Sequence, residues 1–280
     1  MKEVCKKIMQ VGFSLFEGTG IGRAPGVDRL FHLISSITGE IEYEIDGLKI
    51  KSLMYYYPKR HLLYYGKSYE PEIRSLFCSL INKGGTVVDI GASLGLYTLI
   101  AAKKLGNSGF VYSFEPDPIR YAKLMENIRI NRLNNIKAFN VALSDREEDI
   151  EIIYHHPRDG FKKCIVKAQP LDSLNIKPDL IKMDVDGAEI KILEGMKKTM
   201  TYCRPKIICE IHPDEIAQMG YNTDDLSSLL NKVGYLAYEI KSDLNLSLCQ
   251  TLGKSGHSRY LLISENDADN LKIKGWHIDS

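Results

Sequence analysis

Residues 87–97 read Val-Val-Asp-Ile-Gly-Ala-Ser-Leu-Gly-Leu-Tyr, an apolar run that two glycines interrupt. The run before the first glycine is typical of a buried β-strand, and the residues after the second glycine resume a helical pattern. The stretch therefore predicts a strand, a turn and a helix, the repeating unit of α/β folds. A nicotinamide-dinucleotide loop requires glycines spaced as G-x-G-x-x-G, but counting from Gly91 the required positions hold Ser93 and Leu96. The spacing excludes that kind of loop.

The same loop retains the features of another cofactor site. Asp89 comes near the end of the strand, Gly91 and Gly95 let a ligand approach the backbone, and the helix N-terminus offers N–H groups. This combination suits S-adenosylmethionine. Its carboxylate can accept hydrogen bonds from the N–H groups of the loop, which includes Ser93, while its ammonium group faces Asp89.

Glu115 is a second candidate for cofactor binding. It follows a second apolar run, residues 109–114, and lies twenty-four positions after Gly91. An acidic side chain about 20 residues after a glycine loop, at the end of the next strand, can accept hydrogen bonds from both hydroxyls of a ribose. Taken alone, Glu115 is better explained as a solvated carboxylate at a strand end. Paired with the glycine loop at this distance, it is better explained as a ribose ligand.

Composition and charge narrow the class of protein. The chain has 280 residues, of which 44% are hydrophobic and 26% charged, and its net charge is +1. These values predict one large globular domain, alone or with an extension, and give no strong nucleic-acid signal. No run approaches the roughly 20 apolar residues of a transmembrane segment. The six cysteines form no Cys-x-x-Cys pair, so neither a zinc ribbon nor a disulfide framework is indicated, and reduced thiols predict a cytoplasmic protein.

Residues 1–68 are predicted to be an N-terminal helical and β-hairpin extension. Apolar residues recur at helical spacing in residues 1–16 and 27–37. Residues 41–45 and 48–50 alternate across Asp46-Gly47, a dipeptide that favours a tight hairpin. Residues 54–65 mix tyrosines with basic side chains, which predicts either a substrate lid or half-buried strands with polar outer faces.

From residue 86 strands alternate with helices, which predicts a mostly parallel sheet covered by helices on both faces. Residues 149–154 and 163–167 are predicted to form an inserted hairpin or an edge pair. Residues 258–263 are predicted to be an antiparallel edge strand, and residues 265–280 a polar C-terminal tail. The other predicted strands cover residues 86–90, 110–115, 136–141, 178–184, 205–211 and 235–240, and the predicted helices cover residues 94–105, 118–131, 187–199 and 223–233.

Four motifs carry a resemblance to a known family: Tyr69-Glu70-Pro71, residues 88–98, residues 140–143 and residues 182–189. Together they resemble the FkbM family of S-adenosylmethionine-dependent methyltransferases over residues 69–263. The family usually has Asn where this chain has Ser93, and Glu where it has Asp186. Both changes keep a polar or acidic group.

The resemblance implies a seven-stranded, Rossmann-like class I methyltransferase domain over residues 69–264. It also implies methyl transfer to oxygen, often on a sugar or a secondary-metabolite hydroxyl. Glu70 belongs to the family pattern and is assigned to the cofactor side. Asn140, Val141 and Ala142 would line the adenine, since they lie at the carboxyl end of the third predicted strand of the domain and Ala142 leaves room for the ring. For Asn140 taken alone, an ordinary strand end is an equally good explanation.

The acids of residues 182–189 divide into two groups. Asp184 comes at the end of a predicted strand, where it could orient the acceptor hydroxyl or the methionine ammonium group, and we assign it a catalytic role. Asp186 and Glu189 are three positions apart at the start of a predicted helix, the spacing of a capping box, and for them a structural role is expected.

His212 is the predicted general base. It follows the apolar strand 207–211, and histidine titrates near neutral pH with a pKa of about 6.5. The competing interpretation is a hydrogen-bonded loop histidine. Glu210 is expected to point to the opposite face of the strand. Asp184, Glu210 and His212 could together bind Mg²⁺ or a similar cation, but no spacing motif supports a metal site, and a metal-free mechanism is expected.

The predicted function is therefore O-methylation of a small-molecule or carbohydrate acceptor. Two alternatives remain open. One is a methyltransferase that acts on RNA, which would show salt-sensitive RNA binding. The other is a module that binds S-adenosylmethionine without catalysis and serves as a sensor or subunit.

Overall fold

The computed structural model describes residues 40–53, 69–156, 159–253, 258–269 and 271–279. The helices predicted within residues 1–37 lie outside these described ranges, as does the tyrosine-rich segment 54–65, predicted to be either a substrate lid or half-buried strands. No helix within the described ranges has both the length and the apolar character needed to cross a bilayer.

The predicted N-terminal hairpin is confirmed. Strand β1 covers Glu40–Ile45 and pairs antiparallel with β2, Leu48–Leu53. The turn residues Asp46 and Gly47 both have positive φ angles, 52° and 71°. A two-residue turn of this kind matches the right-handed twist of the two strands, and glycine adopts it without strain.

Twelve further strands and eight helices follow within the described residues. The strands are β3 (Thr86–Ile90), β4 (Phe110–Phe114), β5 (Ile136–Phe139), β6 (Ala142–Leu143), β7 (Glu148–His156), β8 (Gly160–Gln169), β9 (Leu180–Met183), β10 (Lys206–Ile211), β11 (Tyr235–Ile240), β12 (Asn245–Cys249), β13 (Ser258–Ser264) and β14 (His277–Asp279). The helices are α1 (Pro71–Leu80), α2 (Leu96–Leu105), α3 (Pro118–Ile130), α4 (Glu189–Glu194), α5 (Lys197–Cys203), α6 (Pro213–Gln218), α7 (Thr223–Lys232) and α8 (Glu265–Ala268).

Nine of the strands form one sheet in the order β14-β12-β11-β13-β10-β9-β3-β4-β5. Strands β3, β4, β5, β9 and β10 are parallel. All seven strands predicted for the main sheet are present in it, and β12 and β14 extend it to nine. Neighbouring residues of the central strands belong to separate hydrophobic cores, as Val87 and Val88 of β3 do. This two-sided burial is what an α/β sheet with helices on both faces requires.

Strand β13 is antiparallel, as predicted, but it is not an edge strand. It lies between β10 and β11 and pairs antiparallel with both. Residues 260–264 of β13 are all buried. A strand with such a continuous buried run needs cover on both faces, which a central position provides. The edges of the sheet are β14 and β5 instead.

The segment between β5 and β9 forms a separate small sheet in the order β6-β8-β7. Strands β7 and β8 pair antiparallel, whereas β6 and β8 are parallel. Of the two predicted arrangements, the inserted hairpin is therefore confirmed. The predicted helix over residues 187–199 is divided into α4 and α5, which are separated at Gly195 and Met196.

The N-terminal hairpin is held to α3 by a buried asparagine. The Asn127 side chain accepts a hydrogen bond from Lys51 N at 2.8 Å and donates to Lys51 O at 3.1 Å and to Leu94 O at 2.9 Å. Because Leu94 belongs to the glycine loop, Asn127 joins the hairpin, α3 and that loop. Asn127→Ala is expected to lower the free energy of unfolding by about 3 kcal/mol, because buried backbone groups lose their partners. Urea denaturation would measure the loss.

Asn131, the C-cap residue of the same helix, provides a matched control. Its side chain accepts from Lys49 N at 2.9 Å and donates to Lys49 O at 2.6 Å, but this pair is exposed. Water can replace these hydrogen bonds, so Asn131→Ala is expected to cost about 1 kcal/mol or less. Equal losses for the two variants would contradict the anchoring role of Asn127.

Candidate cofactor and acceptor site

The predicted site residues converge because of the strand order. Strands β3, β4, β9 and β10 are parallel, so their carboxyl ends meet at one edge of the sheet. Ligands of open α/β sheets bind at this edge. Asp89, Glu115, Asp184 and His212 all lie at or beside these strand ends.

The glycine loop is fastened to the neighbouring strand by its backbone. The N–H groups of Gly91 and Ala92 both donate to the carbonyl oxygen of Phe114, each at 3.0 Å. Gly95 has a φ angle of 92°, lies at the N-cap of α2 and makes no side-chain cap. The first turn of α2 therefore presents its N–H groups without a capping side chain, which favours an anionic ligand group.

Glu115 holds the loop from the other side. Its Oε2 accepts from Ser93 N at 2.7 Å, and its Oε1 accepts from Asp117 N at 2.9 Å. The side chain is only 2% exposed. Burial raises the pKa of Glu115 to about 7, although Arg120 and the two N–H donors lower it. A carboxylate has about four acceptor positions, so the two ribose hydroxyls can still bind here.

The predicted adenine side comes next along the chain. The Asn140 side chain donates to Glu115 O at 2.8 Å and to Pro116 O at 2.9 Å. It thereby fixes the backbone that follows Glu115. Val141 is half-buried and Ala142 is buried at the start of β6. The role of these residues toward adenine stays a prediction.

Asp89 is buried near the same edge of the sheet. It is 2% exposed, and its Oδ2 accepts from Thr98 Oγ1 at 2.6 Å. Burial raises the pKa of Asp89 to about 6, against the opposing effects of the Thr98 hydrogen bond and the charge of Lys182. Asp89 therefore joins β3 to α2, and its predicted contact with the methionine ammonium group stays a prediction.

Asp184 contacts the glycine loop through its backbone and lies beside His212 through its side chain. Its N–H donates to Ile90 O at 3.0 Å, and its carbonyl oxygen lies 2.0 Å from where a Cβ atom on Gly91 would be. Only glycine permits this close approach. The Asp184 side chain is 37% exposed, and its Oδ2 lies 3.7 Å from Nζ of the buried Lys182.

The structure places His212 beside Asp184. His212 is fully buried, and its Nδ1 lies 2.7 Å from Glu189 Oε1. Its Nε2 lies 4.0 Å from Asp184 Oδ1. Burial lowers the pKa of His212, but the Glu189 hydrogen bond and the nearby carboxylate charges raise it more, so the net pKa is above its ordinary value.

The predicted capping box at Asp186 and Glu189 is wrong. Helix α4 begins at Glu189 itself, and its N-cap, Ala188, makes no side-chain cap. Glu189 is fully buried against His212, whereas Asp186 is 73% exposed, with Oδ1 at 3.9 Å from Nε2 of His212. The spacing fits a capping box, but the Glu189 carboxylate binds His212 instead, and His212 lies at the end of β10.

The expected orientation of Glu210 is also wrong. Glu210 Oε1 lies 3.9 Å from Nε2 of His212, so the two side chains share one face. The physical reason is the pleat of the strand, which turns residues two positions apart to the same side. Burial raises the pKa of Glu210, and the Asp184 charge raises it further.

A second acid is joined to Glu210 by an arginine that sequence reasoning missed. Arg259 Nε donates to Glu210 Oε2 at 3.2 Å, and its Nη2 donates to Glu70 Oε1 at 2.9 Å. Tyr97 Oη donates to Glu70 Oε2 at 2.6 Å. The structure thus joins Glu70 to Glu210 through Arg259. The predicted role of Glu70 in cofactor binding stays a prediction.

Lys182 is the other residue whose role sequence reasoning did not assign. It lies in β9 between apolar neighbours, is 3% exposed, and its Nζ lies 5.1 Å from the centre of the Tyr97 ring. Burial lowers the pKa of Lys182, but the surrounding carboxylates raise it more, so the net pKa is above its ordinary value. Lys182 is thus a buried cation beneath a group of acids.

These residues fit S-adenosylmethionine on chemical grounds. The cofactor has two ribose hydroxyls, which Glu115 can accept, and a carboxylate, which the uncapped start of α2 can bind. A glycine loop after the first strand of the parallel sheet and an acid after the next, without the glycine spacing of a dinucleotide loop, indicate the class of S-adenosylmethionine-dependent methyltransferases.

The family is shown by a comparison with known protein families. The family described as methyltransferase FkbM domain matches residues 89–237, which are 149 of the 280 residues. The chain belongs to this family. Methyltransferases of this family use S-adenosylmethionine, which confirms the predicted cofactor.

Three known proteins indicate how far the similarity extends. The tRNA(Phe) (4-demethylwyosine(37)-C(7)) aminocarboxypropyltransferase of Methanocaldococcus jannaschii is 37% identical over 23% of this chain and 26% of its own length. A protein named Methyltransferase 1 from Beauveria bassiana is 21% identical over 39% of this chain and 57% of its own length. A crystal structure of methyltransferase FkbM from Methylobacillus flagellatus is 17% identical, with a TM-score of 0.46 over 87% of this chain and 60% of that one. The chain thus spans about a quarter to three fifths of these proteins.

Proposed function

We propose that the protein transfers the methyl group of S-adenosylmethionine to the oxygen of a hydroxyl on a sugar, a glycan or a small metabolite. The observation that carries this proposal is the cluster formed by Asp184, Glu210 and His212 beside the glycine loop. An oxygen nucleophile must be oriented and must lose its proton as it reacts, and this cluster offers groups that can do both. The sugar or metabolite class rests on the resemblance to the FkbM family.

In the proposed reaction the cofactor supplies the methyl group, and residues of the chain orient the acceptor and take up its proton. S-adenosylmethionine, when bound, supplies a methyl group on a positively charged sulfur, which leaves as a neutral thioether when the acceptor oxygen takes the methyl carbon. Asp184 is the most accessible of the three cluster residues, so it is the one that meets the acceptor hydroxyl. His212 lies behind it, oriented by Glu189, and completes the group that takes up the hydroxyl proton.

Asp184→Asn tests this assignment. The variant keeps the size of the side chain but removes its charge, so we expect the turnover number to fall by about 100-fold or more. The dissociation constant for S-adenosylmethionine is expected to change little, because the backbone of Asp184 still supports the loop. Formation of S-adenosylhomocysteine with a panel of sugars and hydroxylated metabolites measures turnover, and calorimetry measures cofactor binding.

Asp149→Asn is the matched control. Asp149 is an exposed aspartate on β7, in the separate three-stranded sheet, and it pairs with Lys167 at 2.7 Å. Its replacement is expected to leave turnover unchanged. If Asp184→Asn is as active as this control, Asp184 has no part in the reaction. If the wild-type protein binds the cofactor but none of the tested acceptors leads to formation of S-adenosylhomocysteine, the non-catalytic binding module becomes the better description.

An RNA acceptor is the second candidate, because the M. jannaschii relative is named as a transferase that acts on tRNA(Phe). The net charge of +1 counts against extensive contacts with phosphate groups. RNA binding that weakens steeply with added salt, together with transfer of labelled methyl groups to RNA, would favour this candidate. Transfer to small hydroxylated molecules in the absence of RNA would favour the first.

A further inference from the structure

We propose that Asp184, Glu210 and His212 bind a divalent cation of the Mn²⁺ type. One ligand atom from each of the three residues can be chosen so that all three lie within 4.8 Å of one another. Residues 182–212 contain no spacing motif for such a site. The pairing of β9 with β10 brings the three residues together.

The geometry centres on Nε2 of His212. Asp184 Oδ1 lies 4.0 Å from this nitrogen, and Glu210 Oε1 lies 3.9 Å from it. Asp186 Oδ1 lies at 3.9 Å as well. These separations are too long for hydrogen bonds. Two bonds to a divalent ion of this size, at about 2.0–2.2 Å each, span at most about 4.4 Å, so these atoms are close enough to share one metal ion.

The orientation of His212 supports a metal ligand. Its Nδ1 lies 2.7 Å from Oε1 of Glu189, and both side chains are buried. When Nδ1 donates to this carboxylate, Nε2 carries the lone pair of the neutral ring. A carboxylate that holds the far nitrogen of a histidine in this way is the usual partner of metal-binding histidines. Glu189 would therefore fix both the tautomer and the direction of the ring.

The nearby cations hold other atoms of the same carboxylates. Lys182 Nζ lies 3.7 Å from Oδ2 of Asp184, and Arg259 Nε lies 3.2 Å from Oε2 of Glu210. The oxygens that face His212 are Oδ1 and Oε1. Each carboxylate thus turns one oxygen toward a protein cation and its other oxygen toward Nε2. This arrangement keeps the acids in place and directs negative charge at one point.

The donor set indicates the kind of ion. Carboxylates and water suit Mg²⁺, Ca²⁺ and Mn²⁺, whereas imidazole suits transition metals. Mn²⁺ satisfies both preferences and accepts six ligands, so solvent or an acceptor oxygen could occupy the positions beside the partly exposed Asp184. The cation-binding proposal stands without the proposed function. Its catalytic meaning rests on that function, since a cation here would orient the acceptor oxygen and lower the pKa of its hydroxyl, and His212 would then be a ligand and not the base.

Titration of the metal-free full chain with Mn²⁺ tests the proposal directly. The probe is Mn²⁺ alone, with neither cofactor nor acceptor present, at mildly alkaline pH so that histidine is neutral. Electron paramagnetic resonance of free Mn²⁺ is expected to show one ion bound per chain, with saturation below about 1 mM, the weak end for protein sites with oxygen ligands. Spin-echo modulation from a histidine nitrogen is expected in the bound signal.

Three variants and one control complete the test. Asp184→Asn and Glu210→Gln are expected to weaken Mn²⁺ binding by about tenfold or more, and Glu189→Gln by about tenfold through His212. Asp279→Asn is the control, because Asp279 faces His277 at 3.1 Å in an exposed pair elsewhere on the sheet, and no change is expected. Thermal unfolding would confirm that each variant is folded.

The outcomes separate this proposal from the proposed function. No bound Mn²⁺ in the wild type, or equal binding in wild type, Asp184→Asn and Glu210→Gln, would overturn the metal site. Binding of one ion with a histidine nitrogen signal supports the site even if no hydroxylated acceptor is ever methylated. Methylation that persists unchanged in the presence of a strong chelator would leave the proposed function intact and show that the site takes no part in it.

Discussion

Glu115→Ala is expected to weaken S-adenosylmethionine binding by about 100-fold. Glu115 is the acid that the ribose hydroxyls would meet, and hydrogen bonds to a charged group contribute about 1.5–3 kcal/mol each. Loss of two such bonds, at the lower value, amounts to about 3 kcal/mol, which is about two orders of magnitude in affinity. The variant also leaves Ser93 N and Asp117 N without the carboxylate that they bind. Isothermal titration calorimetry would measure the change.

Asp172 offers a matched control for this variant. Its carboxylate also holds two backbone N–H groups, those of Lys198 at 2.9 Å and Thr199 at 2.8 Å, but on the segment that caps α5. Asp172→Ala should lower thermal stability and leave cofactor affinity unchanged. Equal losses of affinity in both variants would mean that Glu115→Ala acts through general destabilisation and not through the ribose.

The pH dependence of cofactor binding gives an independent check on Glu115. Burial raises its pKa to about 7, while Arg120 and the N–H donors lower it and the Asp117 charge raises it. Only the ionised carboxylate accepts from both hydroxyls, so cofactor affinity is expected to fall as pH decreases through about 7. Glu115→Gln has no charge to lose and should abolish this dependence while retaining part of the affinity. A wild-type affinity that is constant from about pH 6 to 8 would contradict the assignment.

The sequence was sufficient for the parts of the fold that depend on local pattern. Each strand of the parallel sheet is an apolar run, and the glycine loop and Glu115 follow their strands at distances that the α/β architecture fixes. The predicted edge position of β13 is wrong, because a strand that follows a loop without a crossover helix can also insert antiparallel between two other strands. Its continuous apolar run, residues 260–263, was the signal for a central strand.

The group of charged residues around Asp184 and His212 could be predicted only in part, because its contacts join distant parts of the chain. Asp184 and His212 were identified as strand-end residues, but Glu189 was assigned to a helix cap from its spacing alone. Its partner, His212, is twenty-three residues away and reaches it through the pairing of β9 with β10. The contact between Arg259 and Glu70 spans 189 positions, which no local pattern can reveal.

Gly91→Ala is expected to have the second large effect, because Gly91 is where the cofactor loop contacts Asp184 of the cluster formed by Asp184, Glu210 and His212. A Cβ atom on Gly91 would lie 2.0 Å from the carbonyl oxygen of Asp184 and 3.2 Å from Cγ1 of Val185. The φ angle of +77° adds strain of about 1–2 kcal/mol for a residue with a side chain. The loop or the end of β9 must therefore move, and S-adenosylmethionine binding is expected to fall below detection by calorimetry.

Gly220→Ala separates the backbone strain from the close approach. Gly220 has a φ angle of +83°, but within the described part of the chain no atom beyond its two sequence neighbours lies within 4 Å of a Cβ atom placed there. This control should lose about 1–2 kcal/mol of stability and keep its cofactor affinity. Because the contact of Gly91 is with Asp184, Gly91→Ala should also disturb Mn²⁺ binding, whereas Glu115→Ala should affect the cofactor alone. If Gly91→Ala binds S-adenosylmethionine as tightly as Gly220→Ala does, the loop is not held against Asp184 and the two halves of the site are independent.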